Sequence, residues 1–334
     1  MNQSQKILEL VNQAQSIVIT SHKSPDGDSI GSSLALYHIL KKWGRNVQIV
    51  HPDPAPGFLH WVAGQEQIID FETKKEQAKA AIQAADLIFC LDYNHPSRVG
   101  DQMQLLLVES TANKVMIDHH LHPADFCQVM ISESRACSTC ELIYTWVKDI
   151  DRLDDIDETS GGCIYLGIMT DTGSFRFPSV SATTHEILAD LIRRGVKHYL
   201  IHEAVYDTNT VDRIKLRGFA LSEKLVCLND IHVAYAFISE KELEKYNYQK
   251  GDTEGLVNQI LGVQGIKMAV LFVEKDGKVK ISFRSKGDYF VNELANAHFE
   301  GGGHAYASGG ISTESLEKTV EKFVTFVKDF IPKA

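Results

Sequence analysis

The chain has 334 residues, of which 44% are hydrophobic and 23% charged, and its formal net charge is −10. This length suits about two domains of ~150 residues, each able to bury a core. No apolar run approaches the ~18 residues of a membrane span, and the first ten residues lack a signal-peptide pattern, so we expect a cytoplasmic protein that does not bind membranes. The acidic charge, with no Lys/Arg run longer than two, also argues against a basic track for long nucleic acid.

The first half of the chain alternates short apolar runs with helical patterns. The apolar runs predict strands at 16–20, 47–50, 87–91 and 115–117, and the patterns between them predict helices at 29–43, 73–85 and 102–111. Strands that alternate with helices are typical of a parallel α/β sheet. Because the strands are continuously apolar, we expect helices on both faces of this sheet.

The second half of the chain has a different order of predicted elements. Helical patterns dominate from about 137 to 224, and strands follow at 231–238, 267–274 and 278–283, with Asp276-Gly277 as a hairpin turn between the last two. A glycine cluster at 301–303 and a helix at 314–330 complete the pattern. We therefore predict an α/β protein with a mostly parallel, helix-flanked N-terminal domain (1–181), a helical linker (182–224) and a smaller C-terminal α/β domain (225–334).

The cysteines are predicted to be structural. The six cysteines lie mostly in apolar segments, which favours reduced, buried thiols over a disulfide framework. Cys137 and Cys140 form a single C-x-x-C, and a zinc ribbon would require a second such pair. We interpret these two residues as helical residues that pack into the protein core.

Aspartates and histidines cluster where predicted apolar segments end. The residues in question are His22, Asp26 and Asp28; Asp92; Asp118, His119 and His120; and Asp171. A single residue of this kind can simply cap a helix or form a turn. Four carboxylates at one sheet edge, however, would repel one another unless cations neutralised them. Mixed Asp and His ligands suit Mn²⁺ or a similar metal better than a site built from oxygen alone.

These residues lie in segments that resemble a known family. S-H-x-x-P-D-G-D-x-I-G-S at 21–32, Asp92, D-H-H at 118–120 and T-D-T-G-x-F at 170–175 resemble the four motifs of the DHH phosphoesterase superfamily. The segments 282–285 (SFRS) and 301–304 (GGGH) resemble the substrate-binding motifs of the DHH-associated C-terminal domain. The resemblance covers nearly the whole chain and is nearest to the branch of short oligoribonucleases (nanoRNases) and 3′-phosphoadenosine-5′-phosphate (pAp) phosphatases.

The resemblance implies a role for each of these residues. It implies two divalent metal ions, with Mn²⁺ as the first choice and Mg²⁺ or Co²⁺ as alternatives. The implied metal ligands are His22, Asp26, Asp28, Asp92, His119 and Asp171, with Asp92 bridging the two ions. His120 would face the scissile phosphoryl group and Asp118 would support it. The implied substrate-binding residues are Arg284, Ser285, Gly302, Gly303 and His304.

The resemblance also implies a substrate class. It predicts hydrolysis of very short RNA, including dinucleotides such as pApA and pGpG, together with phosphatase activity on pAp, and we expect a homodimer. A cyclic di-AMP phosphodiesterase and a catalytically inactive nucleotide-binding regulator remain as alternatives. The chain departs from its relatives at Glu300, where many carry glycine, and at Ala305-Tyr306, where many carry Lys-Asn. These departures leave the preferred substrate length open, and Tyr306 could stack on a base.

Overall fold

A computed structural model describes residues 2–332, which form two compact units. The first unit ends at Thr208 and the second begins at Asn209. Among the described residues, no helix combines the length and apolar character needed to cross a bilayer. The segment predicted as a linker, 182–224, is helical, and its first two helices belong to the first unit and its third to the second.

The first unit contains a six-stranded parallel sheet. Its strands are β1 (Ile17–Thr20), β2 (Val47–His51), β3 (Ile68–Asp70), β4 (Leu87–Leu91), β5 (Asn113–Asp118) and β6 (Val129–Ser132). They are arranged in the order β3-β2-β1-β4-β5-β6, and each neighbouring pair is parallel. The order therefore reverses between β1 and β4, and such a switch point opens a crevice at the carboxyl ends of the strands.

Helices cover both faces of this sheet, as the apolar strands predict. They are α1 (Gln3–Gln13), α2 (Gly27–Lys42), α3 (Lys75–Ala84), α4 (Asp101–Glu109), α5 (Thr139–Asp149), α6 (Glu158–Asp171), α7 (Ala182–Arg193) and α8 (His198–Tyr206). Ile17 and Ile19 of β1 pack into one core with α1, α2, α5 and α6, whereas Val18 packs into the other with α3 and α4. The predicted α/β fold class is confirmed.

Helices α2 and α6 cross at very short range because glycines line their contact. A Cβ atom added at Gly31 of α2 would lie 2.6 Å from the carbonyl oxygen of Cys163 in α6, and one added at Gly167 of α6 would lie 2.6 Å from Oδ1 of Asp28 in α2. Real Cβ atoms do not approach so closely, so larger residues at these positions would push the helices apart. The close crossing brings the N-terminus of α2 beside the C-terminus of α6.

The second unit is built on a mixed sheet. Its strands are β7 (Val226–Leu228), β8 (Val233–Ile238), β9 (Met268–Lys275), β10 (Lys278–Ser285), β11 (Gly302–His304) and β12 (Ala307–Ser312), in the order β11-β12-β10-β9-β8-β7. Only β8 and β9 pair in parallel among the described strands of this sheet. The helices are α9 (Val211–Glu223), α10 (Glu240–Lys245), α11 (Leu256–Leu261), α12 (Val291–His298) and α13 (Leu316–Phe326).

Several local predictions can be compared directly with this fold. The hairpin across Asp276-Gly277 is confirmed, since Lys275 pairs with Lys278 and both turn residues have positive φ. Five of the six cysteines are buried as expected, but the prediction is wrong for Cys227, which is exposed on the short strand β7. The sequence analysis predicted no element at α1, β3, β6, β7, α10, α11, α12, β11 or β12.

Candidate functional site

The carboxyl ends of β1, β4 and β5 bring the first predicted site residues together. His22 follows β1, Asp92 follows β4, and Asp118 is the last residue of β5. Asp92 is 2% exposed and has φ 63°, a left-handed conformation that aspartate tolerates better than most residues. Its backbone N–H donates to the carbonyl oxygen of Ile117 at 3.1 Å, which fixes this turn at the end of the strand.

Three groups of side chains in this crevice have ligand atoms within 4.8 Å of one another. They are Asp92 with His119 and His120, His22 with Asp26 and Asp92, and Asp28 with His119 and Asp171. Asp92 belongs to two of these groups, as a bridging ligand would, and His119 also belongs to two. The structure therefore brings together all six predicted metal ligands.

Asp92 presents a different oxygen to each side of the cluster. Its Oδ2 lies 3.3 Å from Nε2 of His22, whereas its Oδ1 lies 3.6 Å from Nε2 of His119. Nε2 of His119 also lies 3.4 Å from Oδ2 of Asp171 and 3.9 Å from Oδ2 of Asp28. The carboxylate of Asp92 thus lies between two sets of ligand atoms.

The two imidazoles are oriented by backbone carbonyls. Nδ1 of His22 lies 2.9 Å from the carbonyl oxygen of Lys23, and Nδ1 of His119 lies 3.3 Å from that of Ala136. A carbonyl oxygen can only accept a hydrogen bond, so Nδ1 of each ring carries a proton and Nε2 faces the carboxylates. This is the usual arrangement of histidines that bind metals through Nε2.

The N-terminus of α2 supplies Asp26 and Asp28. Asp26 is the N-cap residue and accepts hydrogen bonds from the backbone N–H groups of Asp28 at 3.1 Å and Ser29 at 3.0 Å. Asp28 is 1% exposed, and its carboxylate accepts from the backbone N–H groups of Thr139 at 2.6 Å and Cys140 at 3.0 Å. A helix N-terminus, that of α5, therefore stabilises a buried carboxylate.

Thr139 and Cys140 are site residues that the sequence analysis missed. Besides its backbone contact, Thr139 donates its hydroxyl hydrogen bond to Oδ1 of Asp92 at 2.9 Å. The signal for a helix start was present, because Ser138 and Glu141 have the S-x-x-E spacing of a capping box, and Ser138 Oγ accepts from the backbone N–H of Glu141 at 3.1 Å. The sequence gives no indication, however, that this helix points at the acidic cluster.

The electrostatics of the cluster fit bound cations. Burial, followed by repulsion from Asp28 and Asp26, raises the pKa of Asp92 well above its usual range. Burial alone would lower the pKa of His119, but the carboxylates of Asp171, Asp92 and Asp28 outweigh it and raise this pKa to about 9. Four carboxylates beside two imidazoles need positive charge, and Asp/His ligands of this kind suit Mn²⁺, Co²⁺ or a similar divalent ion.

His120 is held by Asp118. Nδ1 of His120 lies 2.7 Å from Oδ1 of Asp118, and because a carboxylate can only accept, Nδ1 donates and Nε2 is directed elsewhere. Nδ1 of His120 also lies 3.8 Å from Oδ1 of Asp92. Asp118 is fully buried, and its carboxylate is in a position to orient the His120 ring. The role of His120 toward a phosphoryl group stays a prediction.

In the second unit, Arg284 and His304 lie on the same face of the sheet. Arg284 of β10 pairs with Ala307 of β12, and Ala307 pairs in turn with His304 of β11. Directly paired residues of antiparallel strands point to the same face, so the small side chain of Ala307 lies between a guanidinium and an imidazole. The residues on either side of Arg284 along the chain, Phe283 and Ser285, are buried on the opposite face.

The next row along this face has almost no side chains. Ser282 pairs with Gly309, and Gly309 pairs with Gly302, one of the predicted substrate-binding residues. Gly303, with φ 133°, follows in the same edge strand, where a Cβ atom would lie 2.7 Å from the carbonyl oxygen of Ala307. The face therefore has a shallow floor beside Arg284 and His304, of the kind that lets a phosphate approach backbone.

Ser285 is the predicted substrate residue whose side chain faces inward. It is 7% exposed, and its hydroxyl donates to the carbonyl oxygen of Tyr289. Ser282 is half-buried on the outer face, on the same side of β10 as Arg284. Within the motif at 282–285, the hydroxyl that shares a face with Arg284 is thus that of Ser282.

Comparison with known proteins assigns each unit to a domain family. The sequence profile of the DHH family, N-terminal domain, matches residues 16–168, and that of the DHHA1 domain matches residues 230–333. The chain belongs to the DHH family. The matched DHH segment contains the predicted ligands from His22 to His119 together with Thr139, and the DHHA1 segment contains Arg284 and His304.

Relatives of this DHH protein include enzymes and a solved structure. It is 29% identical to the bifunctional oligoribonuclease and PAP phosphatase NrnA of Bacillus subtilis, over 97% of this chain and 98% of that protein. It is 26% identical to the cyclic-di-AMP phosphodiesterase PdeA of Listeria monocytogenes, over 90% of this chain but 45% of that protein. The crystal structure of an exopolyphosphatase-related protein from Bacteroides fragilis superposes with a TM-score of 0.95 at 36% identity, covering 98% of this chain and 96% of that one.

Proposed function

We propose that this DHH protein is a metal-dependent phosphoesterase that hydrolyses very short RNA and small phosphorylated nucleotides. The observation that carries the proposal is the position of Asp92, whose two oxygens face two sets of ligand atoms at the switch point of the sheet. Nε2 of His22 and Nε2 of His119 face the same carboxylate from its two oxygens, as expected for a carboxylate that bridges two ions.

The first unit would supply the chemistry. Two divalent ions supply a water that ionises near neutral pH and positive charge that stabilises phosphoryl oxygens. The residues that would hold them are His22, Asp26, Asp28, Asp92, His119 and Asp171, whose four negative charges balance two divalent cations. His120, oriented by Asp118, would present Nε2 to the scissile phosphoryl group as a hydrogen-bond donor or acid.

The second unit would bind the substrate. Arg284 provides a planar, permanently charged group suited to a terminal phosphate, and His304 lies two strands away on the same face. Beside them, Gly302, Gly303 and Gly309 have no side chains and leave room for phosphate oxygens. The net charge of −10 suits small substrates better than long nucleic acid. NrnA, an oligoribonuclease and PAP phosphatase, aligns with this chain over 98% of its length, and its activities support short RNA and pAp as substrates.

A cyclic di-AMP phosphodiesterase is the second candidate. The observation in its favour is the similarity to PdeA, a cyclic-di-AMP phosphodiesterase, over 90% of this chain. The chain spans less than half of PdeA, however, and nearly all of NrnA, which favours the first candidate. Assembly into a homodimer stays a prediction.

One assay tests both candidates. Rates of hydrolysis of pApA, pGpG, pAp and cyclic di-AMP would be compared with Mn²⁺ present, for the wild-type protein, for Asp92→Asn and for Asp101→Asn, an exposed carboxylate in α4. We expect pApA, pGpG and pAp to be cleaved faster than cyclic di-AMP, with Asp92→Asn inactive and Asp101→Asn unchanged. Faster cleavage of cyclic di-AMP would favour the second candidate, and a wild-type protein inert on all four substrates would refute both.

A further inference from the structure

Thr139 makes two different contacts to two carboxylates of the cluster. Its backbone N–H donates to Oδ2 of Asp28 at 2.6 Å, and its hydroxyl donates to Oδ1 of Asp92 at 2.9 Å. Asp28 comes from the start of α2 and Asp92 from the end of β4, so one residue of α5 connects two separate elements. All three residues are at most 2% exposed, and these contacts are shielded from water.

We propose that Thr139 is a positioning residue that fixes the rotation of the Asp92 carboxylate for metal binding. The inference rests on the proposed function only in taking the cluster to bind divalent ions. With Oδ1 held by the Thr139 hydroxyl, Oδ2 is turned toward Nε2 of His22 at 3.3 Å. A carboxylate oxygen that accepts one hydrogen bond keeps a second lone pair, so Oδ1 can still serve as a ligand on the side of His119.

The hydroxyl of Thr139 is itself held in place. Thr139 is the first residue of α5, directly after the N-cap Ser138, and its side chain is completely buried. A β-branched side chain has few accessible rotamers, and its backbone is anchored by the contact with Asp28. The helix therefore fixes the direction of the Thr139 hydroxyl, and the Asp92 carboxylate must rotate to meet it.

A neutral donor suits this position for an electrostatic reason. Asp28 and Asp92 are buried carboxylates that both contact Thr139, and two negative charges this close repel each other. A lysine or arginine would relieve the repulsion but would also cancel negative charge that binds cations. A hydroxyl and a backbone N–H hold both carboxylates and leave their full charge for the metals.

Substitutions at position 139 separate the hydroxyl from the rest of the residue. Thr139→Val keeps the shape and the backbone N–H but removes the donor, whereas Thr139→Ser keeps the donor. We expect Thr139→Val to weaken Mn²⁺ binding about 10- to 100-fold, the usual loss when a ligand's supporting partner is removed, and Thr139→Ser to retain most of the affinity. Thr145→Val is the matched control, because the Thr145 hydroxyl donates to the carbonyl oxygen of Glu141 in the same helix at 2.9 Å and contacts no carboxylate of the cluster.

The readouts are Mn²⁺ affinity by isothermal titration calorimetry and the electron paramagnetic resonance spectrum of the bound ions. Wild-type affinity in Thr139→Val, or equal losses in Thr139→Val and Thr139→Ser, would overturn the role of the hydroxyl. If Thr139→Val does not fold, Thr139→Ala takes its place, and binding by Thr139→Ala as tight as by Thr139→Ser would overturn it likewise. A wild-type protein that binds no Mn²⁺ would overturn the proposed function as well, and that result is distinct because it involves no variant.

Discussion

The contact between α2 and α6 makes Gly167 a sharp test of how the site is built. A Cβ atom at Gly167 would lie 2.2 Å from Sγ of Cys140 and 2.6 Å from Oδ1 of Asp28. Gly167→Ala must therefore displace α6, the N-terminus of α5, or the Asp28 carboxylate itself. Each of these movements disturbs the hydrogen bonds that α5 donates to Asp28.

The structure allows the size of the effect to be estimated. Overpacking of a close-packed core costs about 1–3 kcal/mol. For a unit of this size, each kcal/mol lowers the melting temperature by about 2–4 °C, so we expect Gly167→Ala to lower it by about 2–12 °C. Gly162→Ala in the same helix is the matched control, because its Cβ would meet only Cδ1 of Ile201 at 3.9 Å. Replacing a helical glycine without a clash gains about 0.5–1 kcal/mol, so this control should melt slightly higher than wild type.

Thermal melting with and without Mn²⁺ separates packing from ligand geometry. Saturation at 100 times the dissociation constant stabilises a protein by about 2.7 kcal/mol, and a displaced Asp28 should reduce this gain in Gly167→Ala. Adding Cys140→Ala removes the sulfur but leaves the contacts with Oδ1 of Asp28 at 2.6 Å and with Cβ of residue 140 at 2.9 Å. The double variant should therefore recover part of the melting temperature without recovering Mn²⁺ stabilisation. If Gly167→Ala melts like Gly162→Ala and keeps its full gain with Mn²⁺, the reasoning about this crossing is refuted.

Four further predictions concern the metal ligands, the metal preference and the substrate. Asp92→Asn should abolish turnover and also the rise in melting temperature that Mn²⁺ causes, and a preserved rise would contradict the bridging role of Asp92. Because Ca²⁺ prefers more and longer oxygen contacts, it should support far less activity than Mn²⁺. Arg284→Ala should cost about 10- to 100-fold in kcat/KM on pApA but little on unphosphorylated ApA, and equal losses would exclude a phosphate contact. Lys280→Ala, on the same strand, is its control. Tyr306 is 41% exposed, so it is accessible to a base. If it stacks on one, Tyr306→Ala should weaken dinucleotide binding by about 1–3 kcal/mol, and unchanged affinity would exclude stacking.

The ligand cluster could be predicted from sequence because it depends on the ends of parallel strands. Continuous apolar runs reveal such strands, and their carboxyl ends meet at one edge, so His22, Asp92 and Asp118 fall together once β1, β4 and β5 are recognised. The contribution of α5 could not be predicted in this way. Asp28 and Thr139 are 111 positions apart, and no local pattern indicates that the start of one helix faces the start of another.

The face of the second sheet that carries Arg284 and His304 illustrates a different limit of motif-based prediction. Strand alternation requires adjacent residues to point to opposite faces, so Arg284 and Ser285 cannot share a surface if residues 278–285 form a strand. The family motif groups Arg284 with Ser285, whereas strand alternation groups Arg284 with Ser282. No strand was predicted at the glycines 301–303, because glycine weakens strands, yet pairing of Gly302 with Gly309 makes an edge strand there.

The glycine of the P-D-G-D segment has a packing role that explains the spacing of its aspartates. A Cβ atom at Gly27 would lie 2.2 Å from Oγ1 of Thr170, the residue immediately before Asp171. Gly27 has no positive φ, so close approach rather than backbone conformation excludes larger side chains. Asp26 and Asp28 therefore flank the point at which α2 touches the end of α6. The close approach of Gly27 to Thr170 thereby brings carboxylates from two distant motifs into the same cluster, and a larger residue at either position would separate them.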